Sequence, residues 1–229
     1  LSEETRPGPL GGVTFMSHVM EDMLASKIIS IIRGVDSRHI VDAVKALQQG
    51  GVRFVEVTFN PADEAASRDT LRSIQLLKDQ FGEVMHIGAG TVLTPKNVED
   101  SAAAGAEFMI SPDMNCQVIQ RTKELGLVSM PGALTPTEVQ TAWTAGADIV
   151  KIFPADCMGP AYFKALKAPL SHVRLAAVGG VSEKNIAAFL QAGADGFGIG
   201  GNLVNADRVN RRAWDEITAA ARGFMTLVK

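Results

Sequence analysis

Leu93-Thr94-Pro95…Val98…Ala104-Gly105-Ala106-Glu107 returns further on, at a constant offset, as Leu134-Thr135-Pro136…Val139…Ala145-Gly146-Ala147-Asp148. Each copy reads as a helix with its punctuation. Threonine offers an N-cap hydroxyl, proline suits the first helical position, and glycine stops the helix in left-handed backbone. Thr135 with Glu138 adds a capping box. Ala192-Gly193-Ala194-Asp195 echoes the helix end a third time. The offset is what two intervening βα units would give, so the chain is read as that unit repeated.

Working outward, eight short apolar strands are expected. They begin near Ile28, Phe54, Met85, Phe108, Leu127, Ile149, Arg174 and Gly196, at a mean spacing of about 24 residues, short for a strand, a helix and two loops but workable. Gly50, Gly105, Gly126, Gly146 and Gly193 fall where helices should stop, each expected as a left-handed C-cap. Eight such units point to an α/β fold, a closed (β/α)8 TIM barrel. An open doubly wound sheet is the alternative, disfavoured because no G-x-G-x-x-G follows the first strand. Met16 to Ser26 has helical spacing, with Val19, Met23 and Leu24 on one side, and is expected to plug or flank the barrel. Residues 1–15 lack periodicity and are read as a flexible leader. Residues 16–229 are read as a single barrel domain that includes the N-terminal helix.

Composition narrows the function. Hydrophobic residues make up 46% and charged residues 21%, ordinary for a globular chain with a sizeable core. A net charge of −3 argues against nucleic acid as partner, because the phosphate backbone selects basic surfaces. No apolar run reaches the roughly 20 residues that span a bilayer, and no secretory signal stands out, so no membrane partner and a cytoplasmic location are expected. Cys116 and Cys157 form no C-x-x-C, as suits free thiols in a reducing compartment. His18, His39, His86 and His172 are scattered without metal-ligand spacing, and no metal or organic cofactor is expected.

In a barrel, reactive groups collect at the C-terminal ends of the strands. Strand six, Ile149-Val150-Lys151-Ile152-Phe153-Pro154, holds a lysine inside an apolar run. A buried ammonium must be paired or lose its proton, and a neutral lysine attacks carbonyl carbon. The bland alternative is a lysine whose stem lies on apolar surface while its head finds a carboxylate. Strand two holds Glu56 in a similar run. Strand alternation lets Glu56 and Lys151 converge if both face the interior, as a catalytic pair or as a structural ion pair. Arg33 ends strand one as a candidate carboxylate ligand. Thr91 follows Gly88-Ala89-Gly90, whose glycines would let a ligand approach the backbone. Ser111-Pro112 makes a rigid turn. Gly179-Gly180 and Gly200-Gly201 end the last two strands, where barrels place phosphate cradles of backbone N–H groups.

These residues resemble the class I aldolases of the 2-keto-3-deoxy-6-phosphogluconate (KDPG) and 4-hydroxy-2-oxoglutarate (KHG) family. The likeness runs from about Lys27 to about Val204. It is carried by Gly-Gly-Val-Arg-Phe-Val-Glu-Val-Thr-Phe (50–59), Gly-Ala-Gly-Thr-Val (88–92), Ile-Ser-Pro (110–112), Met-Pro-Gly (130–132), Lys-Ile-Phe-Pro-Ala (151–155) and Gly-Gly-Val (179–181). It implies that Lys151 forms the Schiff base and that Glu56 shuttles protons. It further implies that Arg33, Thr91 and backbone near Pro112 hold the pyruvyl carboxylate, that Phe153 packs beside the substrate, and that the glycine pairs receive the distal anion. The family forms trimers and uses no cofactor, so a homotrimer acting on a small keto acid is implied.

There are departures. Asn60 stands where many relatives have an arginine, Gly201-Asn202 where many have a serine, and Val178 where a threonine is frequent. The last two changes remove hydroxyls from the distal end. Asn60, Val178 and Gly159-Pro160…Lys164-Ala165-Leu166-Lys167 are similar to the related 2-keto-3-deoxy-6-phosphogalactonate aldolases. Two readings of other classes stand beside the aldolase. One is a cofactor-free sugar-phosphate isomerase or epimerase using Glu56 as base. The other is a non-catalytic barrel that binds a phosphorylated metabolite.

Overall fold

Strands appear where β-branched and aromatic runs are bounded by glycine. They are β1 (Ile28–Ile32), β2 (Phe54–Thr58), β3 (His86–Gly90), β4 (Phe108–Ile110), β5 (Val128–Met130), β6 (Gly132–Ala133), β7 (Val150–Ile152), β8 (Leu175–Val178) and β9 (Gly196–Ile199). The structure is a computed structural model and describes residues 10–229, with side chains from His18 onward. The helices are α1 (Leu10–Ser26), α2 (Ser37–Gln49), α3 (Glu64–Phe81), α4 (Pro95–Ala103), α5 (Cys116–Glu124), α6 (Pro136–Thr144), α7 (Ala155–Lys167), α8 (Ile186–Gln191), α9 (Ala206–Asn210) and α10 (Trp214–Leu227). Every strand pairing is parallel, in the order β5-β4-β3-β2-β1-β9-β8-β7-β6.

β5 and β6 are two halves of one barrel strand, interrupted at Pro131, which has no N–H to give the ladder. The wall closes across that interruption. Lys151 N donates to Pro131 O at 2.9 Å on one side, and Ser111 N donates to Met130 O at 3.2 Å on the other. The chain is therefore a (β/α)8 barrel, and all eight expected strands begin within a residue or so of their expected positions.

Two apolar layers follow from strand alternation. The outer layer lies between strands and helices, with Val55, Val57, Ile87, Met109 and Val150 among its members. The inner layer holds Ile29, Phe54, Phe108, Ile110, Val128, Met130, Ile149, Ala176 and Val178. Val19 and Met23 of α1 are buried in that same inner cluster, so the helix plugs the barrel floor. The lower interior is thus lined by apolar side chains and closed, with Glu56 and Lys151 above it.

The repeated helix end has a structural purpose. Lys78 of α3 binds Glu107, Lys123 of α5 binds Asp148 at 2.6 Å, and Lys167 of α7 binds Asp195 at 2.7 Å. Each acid is the last residue of an Ala-Gly-Ala-Asp/Glu run, one or two residues before β4, β7 and β9. Asp148 and Asp195 also accept backbone N–H bonds from Ser129 and Leu175, both at 2.8 Å. The lysine stems lie over the glycines of these runs. A β-carbon at Gly105, Gly146 or Gly193 would fall 2.8, 3.5 or 3.2 Å from the stem. One clasp thus recurs beneath the fourth, sixth and eighth strands of the barrel.

At the floor the clasp of Glu107 extends further. His86 Nδ1 lies 2.5 Å from Glu107 and Nε2 lies 3.0 Å from Asp22 of α1, which also binds Arg53 at 3.2 Å. A ring between two carboxylates donates from both nitrogens only as the imidazolium.

Two expectations need correction. α1 starts at Leu10, so residues 10–15, read as leader, are helical; Gly11 and Gly12 have poor helix propensity and hid this, while the anchorage of Val19 and Met23 lies further along. Residues 1–9 of that leader lie outside the described residues. Gly50 is right-handed (φ −81°), and Gly51 takes the left-handed cap (φ 95°). Gly50 serves close packing instead, since a β-carbon there would lie 2.3 Å from Ala221 Cβ on α10. Gly105, Gly126, Gly146 and Gly193 are left-handed as expected.

Candidate active site

Register places the two strand-borne charges. Glu56 stands beside Ile31 and Gly88, and Lys151 beside Gly132 and Ala176. Both are enclosed, at 2% and 6% exposure. Small neighbours make this possible. A β-carbon at Gly90 would sit 2.4 Å from Glu56 Oε1, and one at Gly88 would enter the Phe108 ring. The glycines of β3 therefore make room for the site's own side chains. The sequence reading had given that space to a ligand.

Burial dominates the electrostatics of both groups. It raises the Glu56 carboxyl to about 7, against the opposing pull of Lys151 and Arg33. It lowers the Lys151 amine, which Glu56 opposes, Arg33 reinforces and Asp113 opposes. Glu56 Oε2 is buried without a hydrogen-bond partner among the described residues. The structural ion-pair alternative required the two charges to satisfy one another, and no direct ion pair joins them among the described residues. The Lys151 ammonium stands 4.8 Å from the centre of the Phe153 ring.

At the mouth, Arg33 Nη2 reaches Thr91 Oγ1 at 3.4 Å, bringing together the ends of β1 and β3. Thr91 holds a left-handed φ of 57°, a strained conformation for a β-branched residue. Beside it, Ser111 Oγ donates to Val92 O at 2.7 Å and fixes the turn into Pro112, whose carbonyl packs against Gly132. Arg33, Phe153, Gly179, Gly180, Gly200 and Gly201 line one cavity of about 280 Å³, together with Val178 and Asn202. Lys151, Glu56 and Pro112 are not on its wall, and Thr91 lines a neighbouring cleft with Phe59 and Leu93. A larger cavity of about 650 Å³ opens between the loops after β1 and β2, with Arg33 and Asn60 on its wall.

Three features escaped the sequence reading. Asp113 acts electrostatically on Lys151 from the turn after β4. The carboxylate of Asp156 lies where a side chain at Gly180 would go. Three asparagine amides tie back the glycine turns: Asn185 to Gly180 O at 2.9 Å, Asn202 to Val181 O at 2.8 Å and Asn205 to Gly201 O at 2.9 Å. Asparagine is so common at turns that no sequence signal marked these.

A closed barrel that buries a lysine with a lowered pKa and a carboxyl with a raised one in its interior is the frame of a lysine-dependent class I aldolase, a carbon–carbon lyase. Comparison with known proteins agrees. Residues 19–220 match the family described as KDPG and KHG aldolase. The 2-dehydro-3-deoxy-6-phosphogalactonate aldolase of Escherichia coli K12 is 36% identical over 203 residues, covering 88% of this chain and 96% of that protein. The 2-dehydro-3-deoxy-phosphogluconate aldolase of Treponema pallidum is 31% identical, covering 87% and 94%. Among solved structures, "Native KDPGal structure" superposes with a TM-score of 0.79 at 35% identity, covering 87% of this chain and 93% of that one. A Legionella pneumophila KDPG aldolase, described as holding pyruvate as a covalent carbinolamine intermediate, gives 0.78 at 27% identity, covering 92% and 96%. This chain belongs to the KDPG and KHG aldolase family.

Proposed function

We propose that the enzyme cleaves a 2-keto-3-deoxy-6-phospho sugar acid to pyruvate and glyceraldehyde 3-phosphate, with Lys151 as the Schiff-base residue and Glu56 as its proton shuttle. The observation that carries this is the burial of both groups in the barrel interior, on facing strands and within electrostatic reach of one another, with the Lys151 amine pushed down and the Glu56 carboxyl pushed up. Neutral Lys151 adds to the 2-keto carbon. Glu56 in its acid form protonates the departing hydroxyl, and water leaves to give the iminium. Glu56, now a carboxylate, takes the C4 hydroxyl proton while the C3–C4 bond breaks. Those electrons pass to the iminium and give a neutral enamine. The aldehyde departs, Glu56 returns its proton to C3, and water frees pyruvate from Lys151. A carboxyl near pH 7 serves as acid and base in one cycle.

In this reading Arg33 and Thr91 hold the pyruvyl carboxylate, with backbone near Pro112. Phe153 flanks the substrate, and Gly179, Gly180, Gly200 and Gly201 receive the phosphate. The Arg33–Thr91 contact supports the first of these assignments, and the shared cavity supports the last. Residues 16–229 act as one domain, three copies assemble in the cytoplasm, and 4-hydroxy-2-oxoglutarate is a second substrate that yields glyoxylate. No step calls for a metal or organic cofactor.

The 6-phosphogalactonate epimer is the second reading for the substrate. It is favoured by the 36% identity to the Escherichia coli enzyme of that name and by Asn60 and Val178. Pyruvate release, coupled to lactate dehydrogenase, tests the phosphogluconate, phosphogalactonate and hydroxyglutarate substrates side by side. Turnover of at least one phosphorylated acid is expected. Failure on all three sinks the proposal and returns the isomerase and metabolite-binding readings.

A further inference from the structure

The two glycine turns differ from a simple pair of flexible loops in how their carbonyls are held. Asn185 takes the Ser182 N–H on Oδ1 at 2.8 Å and gives its amide to Gly180 O. Asn205 takes the Arg208 N–H at 2.9 Å and gives its amide to Gly201 O. Those two bonds lie within one turn each. Among the described residues Asn202 alone crosses between them with its side chain, running from the turn after β9 to Val181 O in the turn after β8.

A trans peptide carries its N–H on the side opposite its C=O. Tying back Gly180 O and Gly201 O therefore turns the N–H groups of Val181 and Asn202 the other way, and neither has a partner among the described residues. Both residues line the 280 Å³ cavity. Val178, which also lines it, supplies no hydroxyl.

Resting on the aldolase reading above, we infer that Asn202 is a positioning residue that sets the preference for a phosphorylated tail, by locking the two glycine turns at the spacing their free N–H groups need to grip one anion. Oriented backbone N–H groups form an anion-binding concavity only while their peptide planes stay fixed. Loss of the cross-turn bond frees the spacing between the two turns, whose planes Asn185 and Asn205 still tie, without touching Lys151 or Glu56.

The test compares wild type with Asn202→Ala and Asn202→Ser. It uses a phosphorylated keto-deoxy sugar acid, the same acid without phosphate, and inorganic phosphate titrated calorimetrically. The ratio of kcat/KM for phosphorylated over unphosphorylated acid is expected to fall about tenfold in both variants, the equivalent of one hydrogen bond's positioning. The fall should appear mainly in KM, and inorganic phosphate should bind correspondingly more weakly. An unchanged ratio, or equal losses on both acids with phosphate affinity intact, overturns the inference. Wild type is also tested for exchange of the C3 protons of pyruvate, in which no tail takes part. Absence of that exchange overturns the aldolase reading, while phosphate affinity still decides the role of Asn202.

Discussion

Replacing Glu56 by glutamine should separate what this carboxyl contributes to catalysis from what it costs the fold. Burial holds the group at about 7 against an ordinary 4.5. At about 1.36 kcal/mol per pH unit, ionising it inside the barrel costs the folded state about 3 kcal/mol. Because the folded pKa lies above the unfolded one, the favourable contribution is complete below about pH 4.5 and is lost as pH rises through about 7. Glutamine keeps the shape and removes the titration. Urea unfolding of both proteins from pH 4.5 to pH 8.5 gives the stability difference at each pH. The variant should gain on wild type by about 3 kcal/mol across that range, with most of the change between pH 5 and 7. Aldol cleavage should fall by at least about a hundredfold, as expected when a positioned acid–base group is removed. Parallel stability curves would show that Glu56 titrates as it does in water, and the burial argument would then be wrong.

Other consequences follow from the packing. Gly90→Ala puts a methyl 2.4 Å from Glu56 Oε1, so the folded variant should lose most of its kcat while stability drops by about 1–3 kcal/mol on chemical denaturation. Asp195→Ala leaves the Leu175 N–H without its acceptor and Lys167 with Val173 O alone; a loss of about 1–3 kcal/mol in urea is expected, with kcat unchanged for the folded protein. His86→Gln should destabilise most in mildly acidic solution. Burial disfavours the imidazolium, but bonds to Glu107 and Asp22 outweigh it and raise the pKa above 6.5, so the histidine's contribution is complete below about 6.5 and is lost as pH rises through the folded value. Hydrogen exchange in α1 would report it, and a pH-independent difference from wild type would contradict it.

The barrel was legible because its repeat is local. Thr94-Pro95 and Thr135-Pro136 are genuine caps, with Thr94 Oγ1 taking the Asn97 N–H at 3.1 Å and Thr135 closing its box with Glu138. The lysine and glutamate were legible because charge within an apolar strand is costly and therefore conspicuous. What bonds to the repeat's acids was not legible, since each lysine partner lies 25 to 29 residues upstream. The β3 glycines illustrate the same limit. Absence of a side chain is visible in sequence, but the neighbour that fills the space, Glu56 or Phe108, is supplied by the register of another strand. The asparagine bridges were invisible for a like reason, because an amide that crosses between two turns looks in sequence like any other loop residue.

Covalent chemistry at one nitrogen, Lys151 Nζ, is the centre of the proposed reaction. Incubating the enzyme with pyruvate and borohydride, then mapping the product by peptide mass spectrometry, addresses that nitrogen directly. A single 1-carboxyethyl adduct on Lys151 is predicted, absent from Lys151→Ala and absent without pyruvate. An adduct on any other lysine, or none at all in an active preparation, would contradict it.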